Sequence, residues 1–153
     1  MTPKAERYLP IIEREAERIL AVRKLTKFII DEPLGTGVVL ENPGRASLRM
    51  CIDWRDSVVE VSFFSPLHLN AERTFVSWPH CDDPFHRFGL WEVLRAKRIP
   101  YGAVIGELTE LSVQHFLSKA VDHLLESCLP ILDGDLSIVQ EIAYNRNPSL
   151  HKL

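Results

Sequence analysis

The stretch TGVVLENPGRASLRMCIDWRDSVVEVSFF, residues 36–64, decides the fold class. Leu48, Met50, Ile52 and Trp54 alternate with Ser47, Arg49, Cys51 and Asp53. Val59, Val61 and Phe63 alternate with Val58, Glu60 and Ser62. A period of two is the signature of strands with one face toward a core. If the chain reverses at Arg55-Asp56, Ile52 faces Val59, Met50 faces Val61 and Leu48 faces Phe63. The other face then pairs Cys51 with Glu60 and Arg49 with Ser62. A slip of one residue would set apolar against polar, so this register is favoured. Arg-Asp makes a poor two-residue turn, and a four-residue loop over 54–57 keeps the same pairing. Upstream, Asn42-Pro43-Gly44 is a turn, and the Gly-Thr-Gly of 35–37 is a turn or a strand entry. It lacks the third glycine of a dinucleotide fingerprint.

Outward from this hairpin the period changes. Residues 2–27 read as a helix, with Tyr8, Ile12, Ala16 and Ile19 on one face and Leu9 and Leu20 widening it. Pro10 either kinks this helix or begins it. Downstream, RTFVSW at 73–78 reads as a short returning strand. Asp83-Pro84 is an aspartate N-cap with proline at the first helical position, followed by Phe88, Trp91 and Leu94 at helical spacing. Thr109 or Glu110 opens the next helix, whose buried stripe is Val113, Leu117, Ala120, Val121, Leu124 and Cys128. Asp133-Gly134-Asp135 caps a last one, with Leu136, Val139, Ile142 and Ala143 inward, and 146–153 is a fraying tail. Strands and helices are segregated. The expectation is one α+β domain over 1–153, with an N-terminal helix, about four antiparallel strands, and three C-terminal helices packed on one face of the sheet.

The chain has 153 residues, 46% apolar and 25% charged, with a net charge of −3. A chain of this length can bury a core without a metal or disulfide staple. The mild charge argues against a nucleic-acid binder. Its distribution is uneven: residues 1–27 carry seven basic and four acidic side chains, whereas 100–144 carry seven acidic ones against Lys119 alone. An acidic surface of this kind attracts a basic partner, although solvated helix faces drift as far. Cys51, Cys81 and Cys128 are odd in number and form no CxxC pair, which fits free thiols in a reducing compartment. With no signal-peptide pattern and no apolar run long enough to span a bilayer, the expected setting is the cytoplasm, away from membranes.

One dense constellation of potential ligands occurs, in SWPHCDDPFHRFGLW at 77–91. His80, Cys81 and His86 offer imidazole and thiolate donors that suit zinc. No standard metal spacing accompanies them, and Asp83 has a capping task, so a helix-capping loop is the main reading, with a partner-contact loop and a metal or catalytic site as the alternatives. No catalytic motif is present, and neither a cofactor nor a catalytic residue is assigned. Two surfaces are candidates for binding another protein. One is the acidic helical part, represented by Asp122, Glu126, Asp133 and Asp135. The other is the polar face of the hairpin around Arg49 and Glu60, read as a solvated sheet face or a mixed-charge docking face.

The layout of a leading helix at 2–27 followed by LRMCIDWRDSVVEVSFF resembles the small bacterial toxin-immunity proteins, which are single α+β domains of similar length. The resemblance implies a non-catalytic inhibitor that binds a cognate toxin, and the acidic helical part would draw a basic toxin domain; the resemblance assigns no functional residues. A chaperone of a secreted effector and a small metal-dependent enzyme using the 80–86 loop are the alternatives.

Overall fold

A computed structural model describes residues 1–65, 86–101 and 106–148. The chain opens with helix α1 (Pro3–Leu20) and continues through strands β1 (Thr26–Glu32), β2 (Gly35–Glu41), β3 (Ser47–Asp53), β4 (Val58–Phe64) and β5 (Arg87–Gly89). Helices α2 (Leu90–Ala96), α3 (Glu110–Ser127), α4 (Leu129–Leu132) and α5 (Val139–Arg146) close it. The five strands form one antiparallel sheet in the order β1-β2-β3-β4-β5. This is the α+β architecture expected, with one strand and one short closing helix more among the described residues. None of the described helices is long and apolar enough to cross a membrane.

The central hairpin has the expected register: Ile52 opposite Val59, Met50 opposite Val61, Leu48 opposite Phe63, with Cys51 opposite Glu60 on the other face. The loop is the four-residue one, and Ser57 takes a positive φ of 53° to close it. At the β2–β3 turn the Arg45 N–H donates to the Asn42 carbonyl at 3.0 Å, and Gly44 supplies the left-handed residue at φ 78°. Gly37 is required for another reason. A Cβ there would lie 2.3 Å from the Met50 carbonyl oxygen, so β2 and β3 approach as they do only because this position has no side chain.

All the described helices contribute to one core, on one face of the sheet. Ile12, Ala16 and Ile19 of α1 and Val113, Leu117 and Leu124 of α3 are buried there against Val38, Leu40, Leu48, Met50, Ile52, Val61 and Phe63. The opposite face is also buried in its middle, where Ile30, Val39, Cys51 and Phe64 form a smaller cluster. β2 and β3 are accordingly buried along nearly their whole length, on both faces.

Four expectations need correction. The helix does not run to 27: it ends at Leu20, and Thr26-Lys27-Phe28-Ile29-Ile30, rich in aromatic and β-branched residues, becomes β1. Of the two readings of Pro10, a helix start there is excluded, since α1 starts at Pro3, with the Thr2 hydroxyl capping the Ala5 N–H at 3.1 Å, and continues past Pro10. The helix expected from Pro84 does not extend through 87–89. Those residues are β5, because Phe88 pairs with Phe63 on the edge of β4, and α2 begins only at Leu90. Trp91 consequently faces outward, with 54% of its surface exposed. Near the C-terminus Leu136 is exposed, not inward, while Val139 and Ile142 are buried, and Arg146, the expected start of a tail, is the last residue of α5. The strand expected at 73–78 and the Asp83 cap lie outside the described residues.

Candidate functional site

The hairpin register sets the first part of the site. It places Arg49, Cys51, Glu60 and Ser62 side by side on the face of the sheet away from the helices. β5 adds Arg87, opposite Phe64 and one strand over from Glu60. Glu60 is the hub of this group. Arg49 Nη2 donates to its Oε2 at 3.0 Å, Ser62 Oγ donates to its Oε1 at 2.9 Å, and Arg87 Nη2 also meets Oε1. Cys51 Sγ lies 3.6 Å from Oε2. Arg49 retains only 5% of its surface, so the expectation of a solvated sheet face is corrected at Arg49, which is buried, with Glu60 beside it half-buried. Burial, with repulsion from Arg49, lowers the Arg87 guanidinium to about 10.

β5 is short, and that builds the rest. It stops at Gly89, opposite Ser62, so among the described residues no strand lies beside the first half of β4. The chain turns there into α2. The Glu92 carboxylate reaches back to the Gly89 N–H at 2.9 Å and receives both Arg146 Nε at 2.6 Å and Arg146 Nη2 at 2.7 Å, which ties α5 to the start of α2. The space left beside β4 is a cavity of about 620 Å³, of the size that holds a ligand or a peptide segment. Its lining is part polar, with Glu60, Ser62, Arg87, Glu92 and Arg146, and part apolar, with Val59, Val61, Leu90, Tyr101 and Phe116, and Trp91 lines it while more than half exposed. Tyr101 stands edge-on to Phe116 at 6.1 Å and to His123 at 5.6 Å, and burial raises its hydroxyl to about 12.

The acidic residues of the helical part are placed differently. Arg18 pairs with Asp122, and Arg23 with Asp133 through Nε at 2.6 Å and Nη2 at 2.7 Å. Arg7 Nε meets Glu110 at 2.9 Å. The basic excess of residues 1–27 thus meets the acidic excess of α3 and its flank within the molecule. Asp135 accepts the Ser137 N–H at 3.0 Å, and Glu126 is exposed. The structure therefore brings Arg49 and Glu60 together and sets Asp122, Glu126, Asp133 and Asp135 apart from them. His80 and Cys81 lie outside the described residues; His86 immediately precedes β5, and its carbonyl accepts the Ser65 N–H at 2.8 Å. Among the described residues no group of three or more His, Cys, Asp or Glu side chains could hold a metal ion.

Sequence reading missed Arg87, Trp91, Tyr101, Phe116 and Arg146. They come from five separate segments with no shared motif. Only RFG at 87–89, following the strand VVEVSFF, carried a signal, and helical spacing masked it. No family model, curated protein sequence or solved structure matches the chain.

Proposed function

We propose that the protein is a non-catalytic binding module that docks another protein at the groove beside β4, acting as an immunity-type inhibitor of a cognate toxin. The observation that carries the docking is Trp91, more than half exposed at the border of a cavity whose walls are part aromatic and part charged. Exposed tryptophan beside such a cavity is the usual anchor of a protein interface. The inhibitor role rests on the layout of a leading helix, a strand meander and closing helices. The pairing of Asp122 and Asp133 with arginines of the same chain moves the docking surface from the acidic helices to this groove.

The test is co-expression of the full chain with the protein encoded beside it, read by pull-down and by rescue of growth. The wild type and a Leu34→Ala control, altered at an exposed residue between β1 and β2 at the other edge of the sheet, should bind and rescue. Trp91→Ala should lose at least tenfold in affinity. A neighbour that is not toxic overturns the immunity role; failure of the two proteins to associate at low salt overturns the docking.

A further inference from the structure

We infer that the partner enters this groove as an extended segment that adds as a strand to β4 at Val58–Val61, with an apolar residue at every second position. The inference rests on the docking reading above and specifies its mode.

Hydrogen-bonding geometry carries it. In an antiparallel ladder every second residue turns its N–H and C=O toward the same neighbour. The Ser65 N–H meets the His86 carbonyl at 2.8 Å, so Ser65 faces the β5 side. The two-residue period then turns Phe63, Val61 and Val59 the same way. Phe63 has Phe88 opposite it, but β5 ends one residue further on, at Gly89. Val61 and Val59 therefore direct their backbone groups along the line where β5 would have continued, into the cavity. An incoming strand continues that line, and four residues of it span about 13 Å. This is strand addition at a sheet edge, in which the main chain supplies affinity and alternate side chains supply specificity.

The walls define those side chains. Residues of the incoming strand on the helix-side face meet Val59, Val61, Tyr101 and Phe116, which carry no charge. Residues on the other face meet Glu60, on whose carboxylate both Arg49 and Arg87 converge, one acid against two bases. The apolar wall offers no charge, and an ionised side chain brought against it would lose hydration with nothing opposite to meet; the excess of arginine on the other face admits a polar or an acidic one. A segment that alternates apolar residues with polar or acidic ones complements both.

A library of random nine-residue peptides displayed on phage, selected on the full chain, tests the inference. Enriched peptides should carry apolar residues at alternate positions. N-methylation of a selected peptide at one alternate set of amides should weaken binding at least tenfold, and at the intervening set should leave it within twofold. Val59→Pro removes a donor on the open side, where proline is tolerated in an edge strand; it should also weaken binding at least tenfold with an unchanged circular dichroism spectrum. The N-methyl series does not depend on how that variant folds. Peptides with helical spacing, N-methylation without alternation, or no enrichment overturn strand addition. If the neighbour-encoded protein nevertheless binds in a Trp91-dependent way, docking at the groove stands without it; if Trp91→Ala is silent as well, the groove itself is the wrong surface.

Discussion

Glu60 shows how one side chain can hold a buried polar patch together. Two arginines, a serine hydroxyl and a thiol converge on its carboxylate. Glu60→Gln keeps the shape but removes the charge that both guanidiniums share. Because hydrogen bonds to charged groups contribute more than neutral ones, we expect a loss of about 2 kcal/mol in denaturant unfolding. The α1 and α3 caps should be unaffected. Gly37 is constrained by contact, not by charge. Gly37→Ala would drive a Cβ into the Met50 carbonyl, and the strands must part to admit it. We expect roughly 3 kcal/mol of destabilisation, at the upper end for overpacking, whereas Gly106→Ala, with open space around it, should be near neutral. Cys51 and Cys128 are fully buried, and burial raises the Cys128 thiol to about 11. A thiolate-directed reagent at neutral pH should therefore leave both unlabelled in a Cys81→Ser background until the protein unfolds.

At the scale of elements, α1 tests what proline costs inside a helix. Pro10 lacks the N–H that would reach back one turn, yet α1 runs through it because its buried face is packed. Pro10→Ala restores that bond on the exposed side and should raise stability by about 1–3 kcal/mol, read from the unfolding midpoint at constant m-value. The same comparison of local preference with packing explains what the sequence made legible. The β3–β4 register was readable because both strands alternate cleanly and only one pairing matches apolar with apolar. The α3 stripe was readable because it is long and Thr109 caps it. β1 was hidden by the lack of a breaker between Leu20 and Thr26: neither glycine nor proline marks the end of α1. β5 was hidden by its length, since three residues cannot show a period, and the spacing of Phe88, Trp91 and Leu94 imitated a helix. Half of the candidate site followed from the register, through Arg49 and Glu60. The other half follows from where β5 stops, which is a property of pairing and not of local sequence.

At the scale of the whole molecule, the uneven charge of the sequence is used inside the fold. α1 packs along α3, and Arg7, Arg18 and Arg23 meet Glu110, Asp122 and Asp133 on the way. Exposed pairs of this kind add little stability singly, and salt screens them. Their arrangement still separates two explanations of the acidic surface. If these acids serve the fold, reversing one that is paired must differ from reversing one that is exposed without such a pair. Asp122→Lys sets a lysine against Arg18 and should lower stability by roughly 0.5–1 kcal/mol at low salt, an effect that shrinks as salt is added. Glu126→Lys, on the same helix, should be silent by the same measurement. Acid titration gives an independent reading. The Arg23 guanidinium, hydrogen-bonded to Asp133, holds that carboxyl below the usual carboxylate range. A depressed carboxyl contributes stability that is fully present above its unfolded value and is lost as the pH falls through its folded one. Removing the partner by Arg23→Gln should therefore flatten the fall in stability below pH ~4 while leaving the neutral region's pH dependence unchanged. An unaltered acid limb in that variant would show that the pair does not persist in solution, and the acidic surface would return as a candidate for docking a basic partner.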